Sequence, residues 1–323
     1  MAASHNLRGA LLALLAMGVF ATHDVVVKFL GAHYSPFQII FFAALLSFPV
    51  LTVLLLTDAE EDSLRPRHPW WVAARTGLSV VNGAAAFYAF STLPLSQVYA
   101  ILFASPLIIT VLAIPMLGER VRARRWAAVV VGLAGVLIVL RPGQAALSAG
   151  HVAALASALC GSMISVIVRK IGNEERSIVL LMYPLLGNVV AMGLALPFVY
   201  LPMPGSHLGL LGVISLFGLI GAWLVILAYR AGEAVIVAPM QYSQILWATA
   251  YGYFLFQERP DMATGIGAGV IIASGLYIVF RESRVGASEH KPVTETRGRT
   301  ETVTTPRSSV LQRVLRGRGG AGS

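Results

Sequence analysis

Charge is what this sequence has least of. Only 12% of its 323 residues are Asp, Glu, Lys or Arg, about half the share found in soluble domains, so an ordinary water-facing surface is excluded for most of the chain. Cysteine is nearly absent. Cys160 stands alone, so no intramolecular disulfide and no cysteine-rich metal site can form, and its apolar neighbours suggest packing. The usual catalytic and nucleotide signatures are missing as well: there is no HExxH, no GxxxxGK followed by Ser or Thr, and no carboxylate pair with metal spacing on a loop. No metal centre, no cofactor and no ATP-driven step is therefore expected. A membrane-embedded enzyme would need acid, base or metal-ligating groups converging at one membrane face, and only His23 and Asp24 come close.

What the chain does have is apolar length. Hydrophobic residues make up 57% and mean hydropathy is +0.75, which points to lipid as the solvent. A membrane helix needs about 20 apolar residues, and cutting the runs at Gly, Pro and charge clusters gives ten: 7–30, 36–57, 70–92, 95–117, 124–141, 149–170, 177–201, 208–229, 234–256 and 262–281. Little chain is left for a soluble domain. The first run lacks a small-residue cleavage site followed by soluble sequence, so it reads as a membrane helix rather than a signal peptide.

A net charge of +9 would in a soluble protein raise nucleic-acid binding, but its placement argues for topology instead. Nine of the 24 Lys and Arg lie from Arg281 onward, in a Ser, Thr, Gly and Arg-rich stretch too polar to bury a core. With the N-terminus in the cytoplasm, Arg8, Arg65, Arg67, Arg75, Arg120, Arg122, Arg124, Arg125, Arg169, Lys170, Arg176 and Arg230 face inward against Lys28, Arg141 and Arg259 outward. That asymmetry sets the orientation by the positive-inside rule. Both termini are then cytoplasmic in a multi-pass protein of a bacterial-type cytoplasmic membrane.

The chain also repeats itself. Tyr88 to Pro142 holds a Pro-interrupted helix, then Leu117-Gly118-Glu119-Arg120, then a small-residue-rich helix, and Leu227 to Glu282 follows the same plan with Pro239, Phe256-Gln257-Glu258-Arg259 and Gly265 to Gly275. Upstream, Gly9 to Gly31 aligns with Gly150 to Gly172 and places Lys28 on Arg169. The expected units are residues 1–142, residues 143–282 and a disordered basic tail, 283–323. Five crossings per unit is odd, so the second unit is inverted, the plan on which many secondary transporters place a substrate site near the midplane.

Polar residues inside the runs are the candidates for function. An ionisable group in a membrane helix costs about 2.5–3.5 kcal/mol unless paired or wet. Asp24 and Lys28 lie four apart on one face and can pair, with Lys28 reaching the surface. Alternatively, His23 and Asp24 touch a cavity and one takes up a coupling proton, histidine being the side chain that changes charge near neutrality; Glu233 is a further candidate. Gln241, Gln244, Trp247 and Tyr251 follow Pro239, while Gln97, Tyr99, Asn82 and Tyr88 form a similar set in the first half. These amides and rings serve either interhelical bonding or a ligand wall. Glu119-Arg120 and Glu258-Arg259 read as helix-end ion pairs in preference to a gating role, Trp70, Trp71 and Trp126 as interface anchors, and Gly265 to Gly269 with Gly132 and Gly135 as a close-packing face, between repeats or between copies.

The segment Leu93 to Pro142, with Pro106, Leu117-Gly118-Glu119-Arg120, Trp126 and Gly132-Leu133-Ala134-Gly135-Val136, and its second copy ending Gln257-Glu258-Arg259, resembles the EamA-type families of the drug/metabolite transporter superfamily. The resemblance runs from about Leu7 to Arg281. It implies a central cavity lined from both halves, with the fifth and tenth helices as scaffold, and Lys28 matches the family's usual basic residue. Phe20-Ala21 stands where many relatives carry tryptophan and glycine, and the second helix lacks their arginine near Phe41-Phe42. Members carry riboflavin, S-adenosylmethionine, amino acids or metallophores. The expectation is an all-α inner-membrane secondary transporter of a small polar or aromatic metabolite, working as a monomer or homodimer in the lipid bilayer, without nucleic acid.

Overall fold

The structure is a computed structural model that describes residues 2–57, 64–118, 123–141, 147–172, 174–231, 234–259 and 261–284. The first repeat contributes α1 (Ala2–Gly31), α2 (Pro36–Thr57), α3 (Pro69–Thr92), α4 (Leu95–Leu102), α5 (Ser105–Leu117) and α6 (Ala123–Leu140). The second contributes α7 (Ala149–Ile171), α8 (Ser177–Val199), α9 (Gly205–Ala231), α10 (Ala234–Val237), a 3₁₀ turn over Ala238–Ser243, α11 (Gln244–Phe256) and α12 (Met262–Arg284). Taken together, α4 with α5 and α10 with α11 each make one crossing, so there are ten. Helices of 23 residues, such as α7 and α8, are about 35 Å long at 1.5 Å per residue, enough for a bilayer core of about 30 Å. Glu119, Arg120, Glu233 and the tail beyond Arg284 lie outside the described residues.

Both broken crossings follow from proline chemistry. Pro106 and Pro239 have no N–H to donate, so the ladder is interrupted at each. The first break separates α4 from α5, and there the Ser162 hydroxyl of α7, whose nearer acceptor is the Ala158 carbonyl at 2.6 Å, also lies 3.2 Å from the carbonyl of Ser105; the second converts six residues to 3₁₀. The two crossings also end alike, Gly118 with φ +71 and Gln257 with φ +59, positions that correspond in the repeat.

Neighbour relations show the repeat in space. The α1 helix lies along α9 and α3 along α7, while α2 meets α8, α4 meets α11 and α6 meets α12. Exchanging the two halves turns α1·α9 into α7·α3 and leaves α2·α8 and α6·α12 unchanged, while α4·α11 joins the fourth crossing to the ninth, its counterpart. This is an all-α fold of two inverted five-helix repeats. Large apolar side chains are often turned outward, Phe198 being 88% and Phe254 75% exposed, which suits a lipid surround and no water-facing shell.

Between helices, small residues take the place of the hydrophobic drive that lipid cannot supply. Gly135 and Gly267 hold α6 against α12 so closely that a Cβ on either would stand 2.9 or 2.7 Å from the other's carbonyl oxygen. The glycine face thus joins the two repeats. Gln38, fully buried, donates to the Leu201 carbonyl at 2.7 Å and accepts from the Leu201 N–H at 2.9 Å, clamping the start of α2 to the end of α8.

Candidate functional site

Three successive residues of α1, Thr22, His23 and Asp24, carry polar groups to different neighbours. Thr22 shares a hydrogen bond of 2.9 Å with the Tyr251 hydroxyl, and Trp247 stacks on Tyr251 with ring centroids 6.4 Å apart. Two residues on, Asp24 is 8% exposed and both its oxygens are occupied. His23 Nδ1 lies 2.7 Å from Oδ1, and the Tyr99 hydroxyl donates to Oδ2. An ionised carboxylate only accepts, so in that state Nδ1 carries the hydrogen. The Tyr99 oxygen in turn accepts from Gln244 Nε2 at 3.0 Å. A chain of four side chains therefore runs from α1 through α4 to α11, and each polar group in it satisfies the next.

Lys28 does not pair with Asp24, contrary to the i, i+4 expectation. Its ammonium donates to Glu258 at 2.8 Å and to the carbonyls of Leu93 at 2.5 Å and Phe90 at 3.4 Å, and it lies 5.4 Å from the Phe256 ring centroid. The reason is geometric. The end of α3 breaks at Pro94, leaving carbonyls without intrahelical partners, and these with Glu258 give an ammonium three acceptors. Glu258 likewise departs from the expected pairing with Arg259: its other oxygen accepts the Leu95 N–H at 3.0 Å, where a carboxylate is favoured at the start of α4. The left-handed Gln257 turns the chain so that Glu258 points inward.

A cavity of about 310 Å³ lies between α1, α2, α3, α8 and α9, large enough for a small metabolite. Its polar lining is His23, Ser47, Asn188 and Ser215, among apolar groups such as Phe87 and Ile214. His23 meets Phe87 edge to face at 6.3 Å and presents Nε2, which has no hydrogen-bond partner among the described residues. Ser47 donates to the Ala43 carbonyl at 2.9 Å and touches the Ser215 hydroxyl at 2.8 Å. Asn188 Nδ2 donates to the Pro184 carbonyl at 2.9 Å, and its Oδ1 is buried without a partner.

Of the residues singled out from sequence, His23 lines this cavity, with Asp24, Tyr99 and Gln244 in series behind it. Trp247 and Tyr251 pack beside Gly18 and Thr22. Asn82 accepts from Ser157 of α7 at 2.9 Å. Tyr88 is 39% exposed, and it, Gln97 and Gln241 are not in the wall of this cavity. Sequence reasoning passed over Asn188, Ser47 and Ser215. Asn188 is the one amide in the apolar run of α8, and a lone polar group at such a position is itself a signal.

Comparison with known proteins gives the family. The description of the EamA-like transporter family fits residues 7–141 and again 148–280. The chain belongs to that family. As a family member it is a multi-pass membrane transporter that takes a small-molecule substrate. It is 27% identical over 282 residues to the S-adenosylmethionine uptake transporter of Rickettsia prowazekii, covering 86% of this chain and 94% of that one. It is 28% identical to the riboflavin transporter of Rhizobium johnstonii, covering 78% and 81%. It is also 28% identical to the pseudopaline exporter CntI of Pseudomonas aeruginosa, covering 85% and 97%. A solved crystal structure with 18% identity superposes at a TM-score of 0.59, covering 89% of this chain and 100% of that one, and so shares the fold.

Proposed function

We propose that this transporter carries a small polar or aromatic metabolite across a bacterial cytoplasmic membrane by alternating access, and that the substrate sits in the cavity between α1, α2, α3, α8 and α9. The observation that carries the reading is the cavity's wall, which draws on both repeats and holds an ionisable residue, His23, backed by Asp24. Relatives named for S-adenosylmethionine, riboflavin and pseudopaline support a polar metabolite. The charge distribution supports both termini in the cytoplasm, with Lys28 and Glu258 at the periplasmic end and repeats over 1–142 and 143–282. His23 with Asp24 takes up the coupling proton. The cavity is complete within one chain, so a monomer suffices, whether or not it forms a homodimer. The chemistry is translocation, without a catalytic step.

A thermal-shift screen of purified protein against metabolites, followed by uptake into proteoliposomes with an imposed pH gradient, identifies the substrate and its coupling. Ala44 lines the cavity at 8% exposure, and Ala44→Phe fills it. Uptake by that variant is expected to fall at least about tenfold with insertion unchanged. Wild-type uptake by Ala44→Phe would place the substrate elsewhere.

A further inference from the structure

The hydrogens around the cavity can be assigned one by one. Ser47 has a single hydroxyl hydrogen and donates it to the Ala43 carbonyl, so in its contact with Ser215 it accepts, and Ser215 donates. Ser215 then keeps only lone pairs for a ligand. A carbonyl cannot donate, so the Asn188 atom facing the Pro184 carbonyl must be Nδ2, which fixes Oδ1 as the buried acceptor without a partner. His23 gives its Nδ1 hydrogen to Asp24, which leaves Nε2 as an acceptor in the neutral ring. Apart from the second hydrogen of Asn188 Nδ2, the wall offers acceptors: His23 Nε2 and Ser215 Oγ at its surface, and Asn188 Oδ1 buried just beneath it without a partner.

The charge count leans the same way. The polar core beside the cavity holds two carboxylates, Asp24 and Glu258, and one ammonium, Lys28, which Glu258 and two carbonyls already occupy. While the His23 ring is neutral, before it takes up the coupling proton, that leaves Asp24 with neutral donors only. Among the other elements around α1, α2 and α4 bring no charged side chain, α9 brings Arg230, eleven residues or about 17 Å along the axis from the cavity residue Leu219, and α3 brings Arg75. Arg75 is bonded to the Leu180 carbonyl and stands eight residues, about 12 Å along the axis, from the cavity residue Gly83. In a medium of low dielectric an uncompensated carboxylate favours a cation nearby.

We infer that the cavity selects substrates bearing a positively charged N–H donor group, an alkylammonium or its equivalent, and discriminates against carboxylates of the same shape. This rests on the cavity being the substrate site. The ammonium would bond Asn188 Oδ1, Ser215 Oγ or His23 Nε2, with Phe87 against the apolar part.

Three probes of similar shape test it: 2-phenylethylamine, 2-phenylethanol and 3-phenylpropionate, titrated by calorimetry into the full chain in nanodiscs at neutral pH. The amine is expected to bind at least about tenfold more tightly than the other two, or about 1.4 kcal/mol. Asp24→Asn should bring the amine to within about threefold of the alcohol. Should that variant not fold, Asn188→Leu, which removes one acceptor, should weaken the amine more than the alcohol, because a charged donor makes the stronger hydrogen bond. Alcohol or carboxylate binding as tight as the amine, an amine preference that survives both variants, or no binding of any probe by the wild-type chain would each overturn the inference. If Ala44→Phe still blocks uptake, the site stands and only the charge preference fails; if it does not, the site itself is wrong.

Discussion

Asp24 is held by two donors of different kinds, an imidazole and a phenol, and the imidazole reaches the cavity. Around them, α2 offers no ionisable side chain, α3 has Arg75 and Tyr88, α4 has Tyr99, α9 has His207, Tyr229 and Arg230, the 3₁₀ turn has Tyr242, and α11 has Tyr251 and Tyr253. His23 is the one among these that both contacts Asp24 and lines the cavity. His23→Gln keeps a polar group there and removes the imidazole proposed to carry the proton, so substrate binding is expected to persist while the pH dependence of uptake flattens. A wild-type pH profile in proteoliposomes would exclude His23 as the proton carrier. Asp24→Asn, which alters the partners of both His23 and Tyr99, should impair transport at every pH. The Lys28–Glu258 pair is tested by a double-mutant cycle. Glu258→Gln leaves a buried ammonium without its counter-charge and should cost about 3–5 kcal/mol, and adding Lys28→Met should recover a large part of it. Additive losses in thermal unfolding would mean that the two are not coupled. The sequence suggested Lys28 with Asp24 because local spacing is visible in one dimension, whereas the real partner comes from the other repeat and from backbone freed at Pro94.

The elements themselves were legible to within a few residues, since apolar runs punctuated by Pro, Gly and charge leave little choice in lipid. What a run does not show is its azimuth. Gln244 could equally face a ligand or a neighbouring helix, and its partner, Tyr99, belongs to the other repeat. Glycine faces were easier: Gly135 and Gly267 meet backbone to backbone, so Gly267→Val, whose added carbons would run into the Gly135 carbonyl and Val139, should lower thermal stability by about 1–3 kcal/mol. Gly265, with nothing within 4 Å of an added Cβ, is the control expected to tolerate Ala. At the same join Arg141 and Asp261 pair at 2.5 Å. Burial works against ionising Asp261, but hydrogen bonds from Thr264 and the charge of Arg141 outweigh it and hold its carboxyl below the usual range. The folded state thus binds this proton less readily than the unfolded chain. Its contribution is present above the unfolded value, about 3.9, and is lost as pH falls through the lower folded one. Removing Asp261 as Asn should leave acid sensitivity near neutrality unchanged and reduce it only below that value, with a small amplitude because both side chains are partly exposed.

At the scale of the whole molecule, the two repeats are matched in plan and unequal in conformation. The end of α1 is seated against α3, where a Cβ on Gly31 would come within 2.5 Å of Ser91 Cβ, and Lys28 is tied across to Glu258. No comparable α7 to α9 contact is present among the described residues. Alternating access between inverted repeats exchanges the conformations of the halves, so the opposite state parts α1 from α3 and breaks the Lys28–Glu258 tie. In sequence, Arg169 and Glu119 are the corresponding pair at the other end. Gly218 faces His23 across the cavity, with 4.0 Å from an added Cβ to the ring, and Cys160 is buried. A Gly218→Cys reporter in a Cys160→Ala background therefore reads access to the cavity. Adding Lys28→Met and Glu258→Gln together removes the tie without leaving a lone charge. On the proposed topology, which puts Lys28 and Glu258 at the periplasmic end, that double change should raise labelling by a membrane-impermeant maleimide applied from the periplasmic side at least about threefold, equivalent to a shift of about 0.6 kcal/mol between the two states. Unchanged labelling would show that the ion pair braces the fold without controlling which side is open.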